Sequence, residues 1–351
     1  MKKATLKDIA ARAGVSVALV SNYLNRRPSA RMSDDTRKRI DDAVAALDYH
    51  GSAIARSLRT GRSRIIGYVS EALRTEVAQN EMLAIFDAAA EENYQVFVAY
   101  SAARKQTLEN IRMLKERGCD AIIVSGYFNE TFSREICRSF NPVVILNTYP
   151  EIVMPDKILR YDYRAAVREA ILHLQSLGHR EIFYQTSLDG SHEQRYMEFT
   201  EFFGEEKVWQ TRDENPTIEE WQDFIRHHSN CTALLHLNDF MAMRTIRHCR
   251  KLNIRIPEDM AVIGFDNIHA AECTTPSLST ISRPLADAAH CAVKALVAQL
   301  ANETVTRRSD ALLCRKIRMR QPTLSMAIGC SIIPERSIIR TTCVCWICWR
   351  S

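Results

Sequence analysis

Val17, Ala18, Ser21, Asn22 and Asn25 fall on one side of a helical pattern, opposite Val20 and Leu24, and all are small or amide side chains. An ordinary solvated helix face would carry Lys and Glu there. Short groups let a helix approach the floor of the DNA major groove, amides pair with adenine edges, and apolar groups meet thymine methyls. A second set of residues stands where apolar runs end: Ser70 and Glu71, Gly126 and Tyr127, Asn147, Asn238 and Asp239, and Asp266. Amides and carboxylates at such places suit a hydroxyl-rich small molecule. Asp239 opens a helical pattern and is read as an N-cap rather than a ligand.

Catalytic arrangements do not compete with these two sets. The sequence has no G-x-x-x-x-G-K-S/T loop, no G-x-S-x-G turn and no H-E-x-x-H pair, and His192-Glu193 lacks a second histidine. His227, His228 and Cys231 lack a fourth ligand and read as a helix end. No enzyme activity, metal or cofactor is expected.

The elements that must position the first set are short helices. Thr5 serves as an N-cap with Asp8 three residues on, and Leu6, Ile9, Ala10 and Ala13 form an apolar stripe that ends at Gly14. Ser16 caps a second helix over residues 17–25, with Val20 and Leu24 as its inward stripe. A third opens at Ser33, places Asp34 and Asp35 at the positive end of its dipole, and buries Ile40, Val44 and Leu47. Residues 1–64 hold 14 Lys and Arg against 6 Asp and Glu, whereas the remainder holds 33 against 36. A basic head on a near-neutral body is the distribution of a chain whose first segment meets a polyanion.

From Arg64 onward, apolar runs alternate with amphipathic helical patterns. IIGYVS, QVFVAY, AIIVSG and PVVILN are separated by helices near residues 80–93, 105–118 and 130–140; EIFYQT, TALLHLN and MAVIGFD continue the pattern after a helix ending at Gly178. Strand, helix, strand in this order predicts parallel sheets covered on both faces. The expected fold is α/β, two doubly wound parallel-sheet lobes preceded by an all-α helix-turn-helix domain. Ligands of such sheets bind beyond the carboxyl ends of the strands, where the second set of residues lies.

A chain of 351 residues, 46% hydrophobic and 25% charged, is long enough for more than one core and excludes a disordered or fibrous protein. No window resembles a membrane span, and MKKATLKDIA lacks the apolar core of a signal peptide, so a cytoplasmic protein with no membrane partner is expected. Eleven cysteines are scattered singly and read as reduced thiols.

LKDIAARAGVSVALVSNYLN, followed by SDDTRKRIDDAVAALDY, resembles the amino-terminal helix-turn-helix of the LacI family of bacterial transcription regulators. The resemblance implies that Val17, Ala18 and Asn22 read bases, and that Thr5, Ser16, Ser21, Asn25 and Tyr49 make phosphate or supporting contacts. Asn22 stands where the family commonly has arginine. HGSAIARSLRTGRS is then the hinge helix, too short to hold in water alone. Leu58 would be its minor-groove wedge with Ala55 beside it, and Arg56 and Arg59 would attract phosphates. Gly51 and Ser52 replace the usual Pro-Asn, which raises the cost of ordering this segment.

LHLQSLGHREI, LHLNDFMAM, IPEDMAVIGFDN and TTPSLSTISRP are similar to the family's effector-binding domain, which is related in fold to periplasmic sugar-binding proteins. By that resemblance Asn147, Arg195, Asn238 and Asp266 contact an effector, alongside Ser70, Glu71 and Tyr127 from the strand-end reading. Glu198 stands where glycine is usual.

The expected domains are therefore a helix-turn-helix domain (1–50), a hinge (51–63), a two-lobed effector-binding and dimerisation domain (64–324) and an atypical tail (325–351). Cys330, Cys343, Cys345 and Cys348 lie in that tail beside Trp346 and Trp349, without the paired spacing of common zinc sites, and it reads as an extension with no packed role. The expected function is a sequence-specific repressor, a homodimer or higher oligomer on a near-palindromic double-stranded operator. A small effector, a sugar or sugar derivative, would tune its affinity. The alternatives are a two-lobed binding protein or enzyme whose basic head holds DNA nonspecifically, and a nucleoid-type binder without a ligand.

Overall fold

The computed structural model describes residues 4–24, 31–49, 57, 60–146, 157–188, 194–301, 311–313 and 316–318. The chain divides into two compact units, Met1–Ser63 and Arg64–Ser351. Among the described residues no helix is long and apolar enough to cross a membrane.

In the first unit, α1 (Leu6–Ala13), α2 (Val17–Leu24) and α3 (Asp34–Ala46) share one small core. Thr5 and Asp8 form a reciprocal capping box: the Asp8 N–H donates to Thr5 Oγ1 at 3.4 Å and the Thr5 N–H to Asp8 Oδ2 at 2.7 Å. Gly14 ends α1 at φ 64°, the left-handed conformation that glycine adopts without a Cβ penalty. Ser16 and Ser33 cap the next two helices, accepting from the N–H groups of Leu19 and Thr36, each at 3.2 Å. Ile9, Ala10, Ala13, Val20, Ile40 and Ala43 are buried, with Tyr23, Val44, Leu47 and Tyr49 packed against them.

Leu24 departs from the sequence reading: it is 37% exposed. Tyr23 turns inward in its place, and its hydroxyl donates to the Asp41 carboxylate of α3 at 2.9 Å. The inward stripe of α2 therefore runs from Val20 to Tyr23, three residues apart, instead of four.

The second unit contains two six-stranded sheets. The first is built from β1 (Ile65–Ser70), β2 (Gln95–Tyr100), β3 (Ala121–Ser125), β4 (Val143–Leu146), β5 (Ile158–Asp162) and β11 (Ala311–Leu313), in the order β11-β5-β4-β3-β1-β2, all parallel. The second holds β6 (Ile182–Ser187), β7 (Val208–Thr211), β8 (Ala233–His236), β9 (Ala261–Asp266), β10 (Ser279–Ser282) and β12 (Lys316–Arg318), in the order β12-β10-β9-β8-β6-β7. Only β12 runs antiparallel to its neighbour there. The central strands are buried along their whole length, which is why they read as unbroken apolar runs.

Helices α4 (Glu76–Glu91), α5 (Arg104–Glu116) and α6 (Glu130–Ser139) cover the first sheet; α7 (Arg164–Ser176), α8 (Gln194–Phe203), α9 (Ile218–His227) and α10 (Asp239–Lys251) cover the second. The first of these begins before the expected residue 80, because Thr75 caps it by accepting from the Ala78 N–H at 3.3 Å. The chain changes lobes after β5, after β10 and a third time between β11 and β12. Helix α11 (Leu285–Leu300) follows β10 of the second sheet, yet buries Ala289, Ala292, Val293, Ala295 and Leu296 against Ile66, Tyr68, Ile85, Ala88 and Ala89 of the first lobe.

Candidate functional site

The outer face of α2 presents Val17, 40% exposed, and Ala18, with Ser21 and Asn22 half-buried beside them. The Tyr23–Asp41 bond and the Val20 contact fix the roll of this helix, so the short side chains stay outward. Thr5 and Ser16 are exposed at the amino ends of α1 and α2, and Tyr49 is half-buried against the core. N–H groups and small hydroxyls at helix amino termini suit phosphate oxygens. Asn25, Ala55, Arg56, Leu58 and Arg59 lie outside the described residues, as do Asn147, His192, Glu193 and the tail.

In the second unit, the ends of the strands bring together aromatic rings and guanidinium groups. Tyr163, at the amino end of α7 just past β5, stacks on Tyr161 with centroids 5.6 Å apart and meets the edge of Phe265 at 5.2 Å. Arg195, in the first turn of α8, lies 5.2 Å from the Tyr163 ring and 4.8 Å from that of Phe265, and donates to the Leu237 carbonyl. Arg283, just past β10, lies 5.4 Å from the Tyr163 ring on the same cluster. Its Nε donates to Asp266 Oδ1 at 2.6 Å, and both side chains are under a tenth exposed. Asp266 ends β9 at φ 117°, a conformation that costs a non-glycine residue about 1–3 kcal/mol and turns the chain sharply at the strand end.

The described strand-end acceptors Ser70, Glu71, Asn238, Asp239 and Asp266, and Glu81 beside them, are engaged by the protein. Glu81 of α4 accepts from the Tyr68 hydroxyl at 2.9 Å and the Tyr161 hydroxyl at 3.4 Å. Glu71 accepts from Thr107 at 3.0 Å, and Ser70 Oγ accepts from the Ala72 N–H at 3.2 Å. Asn238 proves to be the N-cap of α10, its Oδ1 accepting from the Met241 N–H at 2.9 Å. That corrects the reading of Asp239 as the cap. The Asp239 side chain is instead fully buried and accepts from Thr280 Oγ1 at 2.5 Å and the Ile268 N–H at 2.9 Å. Burial first, and the charge of Asp266 second, raise its pKa to about 7. Gly264 makes room for it: a Cβ there would lie 2.1 Å from Asp239 Oδ1.

Among the described residues no group of three or more His, Cys, Asp and Glu side chains is placed to hold a metal ion. His227 Nδ1 bonds the Asp223 carbonyl at 2.9 Å within its own helix, and Cys231 is buried in the core.

Residues 5–52 match the bacterial regulatory proteins of the lacI family, and residues 171–323 match the periplasmic binding protein-like domain. An uncharacterised HTH-type transcriptional regulator of Streptomyces limosus is 30% identical over 331 residues, spanning 86% of this chain and 90% of that protein. The chain belongs to the lacI family. The HTH-type transcriptional repressor PurR of Mannheimia succiniciproducens is 28% identical over 319 residues, covering 87% of this chain and 95% of that one. The fold is also that of the lac repressor dimer solved with operator and the anti-inducer ONPF, at a TM-score of 0.73 and 21% identity over 87% of this chain and 94% of that chain.

Within this lacI-family fold, the structure brings Arg195, Asp266 and Tyr127 to one region. Tyr127, half-buried after β3 of the first lobe, lies near enough to both Tyr163 and Arg283 to affect their titration. Sequence reasoning passed over Tyr163, Phe265 and Arg283. The signal for Arg283 was present in TTPSLSTISRP, as a lone cation beside a proline at the end of a strand. Glu198, the departure from glycine, is fully buried on α8 and holds α7 through Arg168 at 2.7 Å and Arg164 at 3.7 Å.

Proposed function

We propose that this lacI-family member is a cytoplasmic, sequence-specific transcriptional repressor that acts as a homodimer on a near-palindromic operator. A sugar or sugar derivative bound at the Tyr127–Tyr163–Arg195–Asp266–Arg283 cluster sets its operator affinity. The observation that carries this reading is the pairing, in one chain, of an outward helix face made of Val17, Ala18, Ser21 and Asn22 with a buried polar cluster drawn from both lobes. The first feature serves base edges and the second a small molecule; no enzyme is needed to account for either.

The named relatives support it: one is called a repressor, and another was solved as a dimer on its operator. A single head of this size makes too few contacts for tight binding, whereas two heads on a two-fold axis read half-sites about one helical turn apart. In this reading residues 51–63 are the hinge, with Leu58 as the wedge, Ala55 beside it and Arg56 and Arg59 on the phosphates. Effector binding changes the lobe arrangement and hence the spacing of the two hinges, a coupling of about 1–3 kcal/mol.

Selection of bound sequences from a random duplex pool tests the proposal. A single near-palindromic consensus is expected, and Leu58→Ala is expected to weaken it far more than nonspecific binding. Equal binding to every duplex at physiological salt overturns the reading.

A further inference from the structure

The cluster around Tyr163 is rich in donors, and the described acceptors beside it each have a protein partner. Tyr163 is 5% exposed, and its hydroxyl has no hydrogen-bond partner among the described residues. The guanidinium groups of Arg195 and Arg283 lie 5.2 and 5.4 Å from its ring. Among the described residues, the nearby oxygens each already accept from the protein: Asp266 from Arg283, Asp239 from Thr280 and Ile268, Glu81 from Tyr68 and Tyr161, and Asn238 from Met241.

A neutral sugar is both donor and acceptor at every hydroxyl, so a site built for one offers carboxylate or amide oxygens to receive its protons. The described part of this cluster is weighted towards N–H and O–H groups, from two guanidiniums and the Tyr163 hydroxyl. Each guanidinium carries five N–H donors in a planar fork that matches the oxygens of a carboxylate or a phosphate. A buried hydroxyl left without an acceptor costs folding free energy, and an anionic oxygen arriving beside it recovers that cost on binding.

We propose that the effector is an anion, a phosphorylated or carboxylated small molecule such as a sugar phosphate or sugar acid, whose charged oxygens accept from the Tyr163 hydroxyl and the Arg195 and Arg283 guanidiniums. The inference rests on the reading of this cluster as the effector site. It adds the ligand's charge, which the sugar assignment leaves open. Asp266 has a different part here: it pairs with Arg283 through Nε and positions its guanidinium.

The test uses the full-length protein and matched probes: glucose with glucose 6-phosphate and with glucuronate, and ribose with ribose 5-phosphate, alongside inorganic phosphate. Each is titrated by calorimetry and by shift of the thermal unfolding midpoint, on the wild type and on Tyr163→Phe. A charged member is expected to bind at least tenfold more tightly than its neutral parent, and Tyr163→Phe to weaken that binding about tenfold. The ligand-free midpoint of the variant is expected to be unchanged or higher, because the change removes only an unpartnered hydroxyl. The phosphate and carboxylate arms identify which anion the fork prefers.

A neutral parent that binds as tightly as its charged partner, with Tyr163→Phe weakening both, overturns the anion inference and leaves the site reading standing. A charged probe that binds equally well to wild type and Tyr163→Phe overturns the site reading and this inference with it. A panel in which no charged member binds overturns the anion inference.

Discussion

Asp266 and Arg283 form an ion pair of 2.6 Å between two side chains that are each under a tenth exposed, one at the end of β9 and the other just past its neighbour β10. The pair ties together the two strand ends that carry the candidate ligand cluster. Replacing one member leaves the other charge buried. Asp266→Ala is therefore expected to cost about 3–5 kcal/mol in urea unfolding. The double change Asp266→Asn with Arg283→Gln is expected to be much milder, since no uncompensated charge remains. A double-mutant cycle with no coupling between the two positions contradicts the pairing.

Asp239 sets a pH dependence. Its folded pKa of about 7 lies above the unfolded value of 3.8, because burial and then the Asp266 charge disfavour its ionised form. Between those values the folded state binds more protons than the unfolded chain, so this residue's stabilising contribution is full below pH 3.8 and is lost as pH rises through about 7. Asp239→Asn removes that loss, which is on the order of 4 kcal/mol. Urea unfolding at several pH values should show the slope in the wild type and a flatter profile in the variant.

The capping box of α1 gives a local expectation. Thr5→Ala deletes the acceptor for the Asp8 N–H and should lower the stability of the first unit by about 1 kcal/mol. Circular dichroism melting of residues 1–63 expressed with the full chain as control would read it, and Thr5→Ser should recover most of the loss.

Asn22 is half-buried on the outer side of α2, within the face formed with Val17 and Ala18. Asn22→Ala is expected to relax base preference at one position in each half-site, worth about 1–3 kcal/mol if the amide pairs with an adenine. An unchanged preference profile from random-pool selection would show that Asn22 reads nothing.

Much of the scaffold was legible because buried parallel strands are unbroken apolar runs and cap residues announce helix starts. The three helices of the first unit and strands such as Ala121–Ser125 and Ala261–Asp266 follow from those signals. Strands such as Val208–Thr211 and Ser279–Ser282 escaped notice: they are four residues long and mix polar with apolar side chains. Leu24 was misplaced because a hydrophobic residue four positions from Val20 looks inward by periodicity alone, and nothing in the local pattern reveals that Tyr23 finds Asp41.

The site was half legible. Strand-end polar residues can be listed from the pattern, but periodicity does not say which are spent on caps, as Asn238 is, or locked in pairs, as Asp266 is. Tyr163 and Arg283 join the cluster only because the chain changes lobes beside them.

The return of α11 to the first lobe has a consequence for synthesis on the ribosome. The apolar floor formed by Ile66, Tyr68 and Ile85 is covered by Ala289, Val293 and Leu296, more than two hundred residues downstream. The lobe that is translated first is thus sealed last, and until the end of the message is read its greasy underside needs a chaperone or a neighbour. A premature stop upstream of Leu285 would leave that surface open for good, so such fragments should aggregate or be degraded instead of persisting as smaller regulators.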